Sequence, residues 1–207
     1  MKINEIFHSV QGEGTMIGLP AIFVRLAGCN LHCSFCDTKY SWDSGIEMPI
    51  TDVIAKIKSY PSCTHVVWTG GEPSLQMADV LSVIQLLPKY THEIESNGTT
   101  YFNPAPFFLV TISPKKEQID VAVLEKFVKF NRVVFKFVIS NLDDITFWME
   151  LVEVWGINRR RVFLMPEATT RDELHLKSEW LIERCKELNV RFSTRLHIDV
   201  WGARRGV

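Results

Sequence analysis

Residues 27–43 read AGCNLHCSFCDTKYSWD, which sets Cys29, Cys33 and Cys36 in a C-x3-C-x2-C array. A disulfide takes two thiols, and a structural zinc site takes four protein donors. Three thiols in so short a loop therefore suggest a centre with one position left to another ligand. A 4Fe–4S cluster, held by one thiolate per iron, is such a centre when the protein supplies only three. A zinc site completed by His32 or by a distant histidine is the competing reading. His32, however, lies between two of the thiols, where tetrahedral coordination would strain the loop.

Outward from this loop the chain alternates short apolar, β-branched runs with helical patterns. Residues 21–28 (AIFVRLAG) read as a strand running straight into the cysteines. Helix 51–60 follows, then strand 65–73 (HVVWTGGEP), helix 78–87, strands 92–98 and 107–114, helix 120–130 and strand 132–140. Helix 142–156, strand 161–168, helix 170–189 and a last strand over 190–198 complete the pattern, and segment 41–50 reads as an irregular connection. Near-continuous apolar runs such as VVFKFVI suit strands covered on both faces. Alternating βα units predict an α/β fold, a parallel sheet curved into a full or partial (β/α) barrel and filling residues 1–207 as a single domain. QGEG, the cysteine loop, TGGEP, ESNG, SPK and MPEA mostly follow strands, and the carboxyl ends of parallel strands are where sites are built.

Composition sets the outer bounds. The 207 residues are 46% hydrophobic and 23% charged, with a formal net charge of −1. That balance supports a sizeable core and gives no electrostatic reason to expect a nucleic-acid or anionic-membrane partner. No apolar run approaches the ~20 residues of a membrane span, and the N-terminus lacks the apolar stretch of a secretory signal, so a cytoplasmic protein is expected. Five cysteines, an odd number, argue against a disulfide framework. Cys185 falls at helical spacing with Leu174, Leu181 and Leu188 and reads as core, whereas Cys63 reads as a loop thiol.

TGGEP in register behind the cysteine loop, with Phe35 just before the last cysteine, resembles the radical S-adenosylmethionine (SAM) superfamily. FHSVQGEGTMIGLPAIFVRLAGC, CDTKYSWD, IESNGT, TISPK, MPEA and HIDVWGARRGV resemble one of its families across nearly the whole chain, 7-carboxy-7-deazaguanine synthase. The resemblance implies a reduced radical SAM barrel. It implies ring contraction of 6-carboxy-5,6,7,8-tetrahydropterin to 7-carboxy-7-deazaguanine with loss of ammonia, a step toward 7-deazapurines such as queuosine. A glycyl-radical activase has the cysteine loop and GGEP, but not QGEG with CDT-x-x-x-W.

The same resemblance implies site roles. Cys29, Cys33 and Cys36 would bind one 4Fe–4S cluster per chain, and Thr38 would ligate Mg²⁺. SAM would meet Phe35, Cys36 and Asp37, then Gly70, Gly71 and Glu72, then Ser113, Pro114 and Lys115, and finally Met165, Pro166, Glu167 and Ala168. Glu95 suits ribose or substrate. The pterin would meet Val10, Gln11, Gly12, Glu13, Arg25, Thr69 and Val207. A homodimer and a flavodoxin- or ferredoxin-like electron donor are implied as well. Arg204 and Arg205 read as surface charges, and so does the run Arg159 to Arg161, placed to cap a helix end or solvate a loop.

Overall fold

Two alternating faces organise every strand. In this computed structural model, which describes residues 1–202 and 204–207, one face of each strand packs under helices and the other turns toward the barrel interior. The elements are β1 (Lys2–Val10), β2 (Pro20–Leu26), β3 (Ile46–Glu47), α1 (Ile50–Lys58), β4 (His65–Gly70), α2 (Met77–Leu86), β5 (Thr91–Ser96) and β6 (Leu109–Ile112). They continue as α3 (Val121–Val128), β7 (Val133–Ile139), α4 (Leu142–Val154), β8 (Val162–Pro166), α5 (Arg171–Leu188), β9 (Arg191–Phe192) and α6 (Leu196–Trp201).

A single nine-stranded sheet runs in the order β3-β1-β2-β4-β5-β6-β7-β8-β9. From β2 to β9 every pairing is parallel, while β1 pairs antiparallel with both β2 and β3. The sheet is open in its strand order, so the expected α/β partial barrel is what forms. The outer face carries the main core, in which Val66, Trp68, Ile94, Val110, Phe135 and Leu164 pack against Val53, Val80, Phe127, Trp148 and Leu181 of the helices. Inward-facing side chains form only small apolar clusters, Ala21, Phe23 and Val67 in one and Leu109, Val134 and Phe163 in another. Much of the rest of the interior is polar, with Gln11, Glu93, Thr111, Lys136 and Arg195 buried. Among the described residues no helix is long and apolar enough to cross a membrane.

Local chemistry explains the helix ends. α5 begins on a full capping box, with Thr170 accepting from the Glu173 amide and Glu173 reaching back. It ends on Asn189 in the left-handed region at φ 53°.

Two readings are corrected and one element is added. The last strand, expected over 190–198, is confined to Arg191–Phe192, and residues from Leu196 turn into α6. The Ser193 amide still donates to the Leu164 carbonyl, and beyond it the Leu196 amide donates to the Gly12 carbonyl across the barrel mouth instead of extending the ladder. Segment 2–10 is a full strand that sequence periodicity does not mark. A register shift between Ile3 and Glu5 interrupts its alternation. Within 41–50, Ile46–Glu47 adds an edge strand to β1. Cys63 lies in the loop before β4, as read, and is buried there with its Sγ near the Pro20 and His65 carbonyls. Cys185 lies in the core as read.

The end of β4 meets the start of the cysteine loop by backbone alone. A Cβ on Gly71 would overlap the Gly28 carbonyl, whereas Gly156, at φ 60°, faces open space. Gly71→Ala is expected to cost about 3 kcal/mol through forced backbone displacement, and Gly156→Ala about 1–2 kcal/mol through its dihedral angle alone. Urea unfolding of the two variants checks this, and equal midpoints would contradict the contact.

Candidate functional site

A cavity of about 340 Å³ opens at the carboxyl ends of the strands. Its first wall is the cysteine loop. That loop closes on itself through the Gly28 amide to the Ser41 carbonyl at 2.9 Å, Cys36 to Cys33 at 3.1 Å and Ser41 to Thr38 at 2.8 Å. The Thr38 hydroxyl stands 3.6 Å from the Cys36 sulfur.

The three thiols are free and half-buried. Burial pushes Cys29 and Cys33 above the ordinary thiol range, and Lys115 partly offsets this at Cys33. Among the described residues a trio of metal-binding side chains, Glu13, Asp37 and His197, converges within 4.8 Å, and at least one pair of the three sulfurs lies further apart than that. Tetrahedral zinc would need them roughly 3.8 Å apart. Three free thiols on one loop match the donor set of a cluster that takes one thiolate per iron and leaves one iron to another ligand.

The TGGEP turn forms the second wall. The Gly71 amide donates to the Leu26 carbonyl at 3.0 Å and the Glu72 amide to the Gly28 carbonyl at 2.7 Å, fastening this turn to the root of the cysteine loop. The Glu72 carboxylate accepts from the Ser74 amide (2.9 Å), the Ser96 hydroxyl (2.8 Å) and the Asn97 amide (2.7 Å). Burial raises the Glu72 pKa against these bonds. With both oxygens engaged, the turn has its backbone to offer a ligand.

A chain of polar side chains crosses the floor. Gln11, 2% exposed, donates through Nε2 to Glu93 at 3.0 Å and to Glu95 at 3.1 Å. Glu93 continues to His65 at 3.1 Å. Lys136 donates to Glu95 at 3.0 Å and to Glu13. Burial alone would raise the Glu13 pKa, but Lys136, then Arg195 and His197, hold it well below the usual carboxylate range. Burial likewise works against charge on Lys136, and Glu13 and Glu95 overcome it to raise its pKa.

Arg25 occupies the side wall. Its Nε donates to Glu5 at 2.8 Å, and Tyr40 donates to the same oxygen at 3.0 Å. The Nη1 and Nη2 atoms have no partner among the described residues. Lys115 donates to the Ser113 carbonyl and hydroxyl, each at 2.8 Å, with its Nζ 5.9 Å from the Phe35 ring centre.

Of the residues singled out from sequence, Val10, Gln11, Gly12, Glu13, Arg25, Thr69 and Val207 line the cavity. So do Cys29, Cys33, Phe35, Cys36, Asp37, Thr38, Gly70, Gly71, Glu72, Glu95, Ser113, Lys115, Met165 and Glu167. Pro114, Pro166 and Ala168 are not in its lining. Pro166 and Ala168 are buried, and the Ala168 carbonyl accepts from Arg195. Arg204 and Arg205, read as surface charges, are exposed yet sit at the mouth, with Arg205 stacked 3.5 Å over the Tyr40 ring. Arg161 reaches the carbonyls of Phe130 and Val128, so it ties down the end of α3. Lys136, Arg195 and His197 were not apparent from sequence. Lys136 follows the inward period of β7 (Val134, Lys136, Val138), a pattern that could have found it.

Residues 23–135 match the Radical SAM superfamily. The chain is 37% identical to a 7-carboxy-7-deazaguanine synthase of Pyrobaculum aerophilum, over 100% of this chain and 97% of that protein. It is 31% identical to the Escherichia coli protein of the same name, over 94% and 96% of the two. The crystal structure of QueE from Escherichia coli superposes with a TM-score of 0.75 at 29% identity, covering 95% of this chain and 94% of that one. Streptococcus suis SuiB, at 13% identity and a TM-score of 0.57, shares the fold. The chain belongs to the 7-carboxy-7-deazaguanine synthase family of the radical SAM superfamily.

Proposed function

We propose that this protein converts 6-carboxy-5,6,7,8-tetrahydropterin to 7-carboxy-7-deazaguanine and ammonia, in the biosynthesis of 7-deazapurines such as queuosine. The observation that carries this reading is the convergence of a three-thiol loop, a GGEP turn, the QGEG loop and Arg25 on one cavity. Cys29, Cys33 and Cys36 would hold a 4Fe–4S cluster. When bound, the cluster and SAM supply the radical that starts the reaction by taking hydrogen from substrate.

The protein's own work is placement. Arg25, anchored through Nε to Glu5, presents its two Nη groups to the cavity, a fork matched to a carboxylate. Gln11 commits both amide hydrogens to Glu93 and Glu95, so contacts of the 10–12 segment with the pterin edge are by backbone. The backbone of Gly70, Gly71 and Glu72 suits the methionyl amine of SAM, with Phe35, Asp37, Ser113, Lys115, Met165 and Glu167 as further wall contacts. Thr38 offers a hydroxyl to Mg²⁺, a hard cation that keeps several waters and needs few protein ligands. Family resemblance further supports a cytoplasmic homodimer reduced by a flavodoxin- or ferredoxin-like protein.

Anaerobic reconstitution should give a brown protein with about four irons per chain. With carboxypterin, SAM, Mg²⁺ and a reductant it should release the deazaguanine, read by mass. One zinc per chain in place of iron, or no product, would refute the reading. Cys33→Ala should abolish SAM cleavage, and cleavage at the parent rate would count against the cluster assignment. Arg25→Ala should weaken carboxypterin binding by about 1.5–3 kcal/mol in a titration, and unchanged affinity would remove Arg25 from the site. Thr38→Ala should blunt the Mg²⁺ dependence of rate, which a metal titration checks.

A further inference from the structure

Arg195 stands after β9 at the N-cap position of α6, its side chain 7% exposed. Its Nε donates to Glu13 Oε1 at 3.1 Å, its Nη1 to the Ala168 carbonyl and its Nη2 to Asp37 Oδ2. One guanidinium thus joins the QGEG loop, the turn after β8 and the cysteine loop. A buried cation persists where its donors are matched, and three acceptors spread around a planar fork match arginine rather than a compact ammonium.

The bond to Asp37 has a particular standing. Among the described residues, the other hydrogen bonds of segment 31–38 stay within 29–41: Leu31 to Cys29, Cys36 to Cys33, Cys36 to Thr38 and Ser41 to Thr38. The polar tie from that segment to the barrel is Arg195, 158 residues away in sequence. Asp37 lies between Cys36 and Thr38, so its anchoring fixes both neighbours. Glu13 at the other end is itself held by Lys136, which gives the tie a rigid foundation.

We propose that Arg195 is a positioning residue for the reaction: it docks the Cys36-Asp37-Thr38 turn onto Glu13 and thereby sets where the Thr38 hydroxyl meets a divalent cation. The kinetic part rests on the proposed Mg²⁺ role of Thr38, and the docking itself does not.

The test uses cluster-loaded enzyme. In Arg195→Met, amide hydrogen exchange of residues 33–41, measured without Mg²⁺, is expected to rise about tenfold or more while residues 65–70 of β4 are unchanged. The Mg²⁺ concentration for half-maximal rate is expected to rise about tenfold, with kcat at saturating Mg²⁺ kept within about threefold. Arg195→Lys, which keeps the charge but cannot span three acceptors, should fall between. Should Arg195→Met not fold, Asp37→Ala, which removes the acceptor, carries the exchange measurement alone, because Asp37 is partly exposed and the Arg195–Glu13 pair survives its loss. Exchange of 33–41 within about twofold of the parent overturns the proposal, as does a fall in kcat at an unchanged half-saturating Mg²⁺. A parent enzyme indifferent to Mg²⁺ would instead refute the Thr38 reading, and the exchange measurement would still decide the docking.

Discussion

The site depends on a backbone contact between two glycines. β2 and β4 are parallel neighbours with Leu26 opposite Gly70, so both strands reach the barrel mouth in register. Gly71 and Gly28 then touch without side chains, and two backbone hydrogen bonds, from the Gly71 amide to the Leu26 carbonyl and from the Glu72 amide to the Gly28 carbonyl, lock the turns together. The consequence is mechanical. The root of the three-thiol loop and the GGEP turn are thereby held in one register. Chemistry that relies on placing two reactants needs such coupling, since displacement by about an ångström can cost two orders of magnitude in rate.

Beneath that contact the barrel interior carries charge where a larger barrel would carry layers of aliphatic side chains. Glu13, Glu95 and Asp37 are balanced by Lys136 and Arg195, and Gln11 bridges Glu95 to the Glu93–His65 pair. Buried charges contribute little net stability, because desolvation offsets their attraction, but loss of one member leaves an unpaired ion. The network therefore acts as a specifying element. Stability comes from the outer layer, where Trp68, Phe127, Phe135, Phe137 and Trp148 pack under the helices. The core and the site thus occupy opposite faces of the same strands, an economy that period-two alternation makes available.

The same alternation decides what was legible in sequence. The parallel units, their order and the cysteine loop could be read because apolar runs and turn residues recur at regular spacing, and motif-bearing turns fall at strand ends. β1 could not, since its bulge mixes the two faces. α6 could not, because RLHI is apolar enough for a strand, and what holds its start is a long-range bond from the Leu196 amide to Gly12 across the mouth. Arg195 was hidden by that same misreading, as the pairing of residues 13, 37 and 195 is a tertiary fact with no local trace. Glu72 shows the opposite case. Its motif was plain, but its carboxylate turns inward to Ser74, Ser96 and Asn97, which spacing alone does not disclose.

The disposition of cations within the cavity separates those that hold the protein from those left for a ligand. Lys136 and Arg195 are matched to carboxylates on several sides, so an incoming acid would have to compete with bonds already made. Arg25 differs. Glu5 takes its Nε alone, Phe7 and Tyr40 flank its guanidinium with ring centres 5.9 Å away, and its outer edge faces the cavity. Flanking rings fix the plane of the fork without consuming its donors, so little rotamer freedom remains to be lost when a carboxylate arrives. A cation that is oriented but incompletely paired is what recognition of a small acid requires. Arg25 is thus the cation left open to an incoming carboxylate, whereas the buried charges below it are committed to one another.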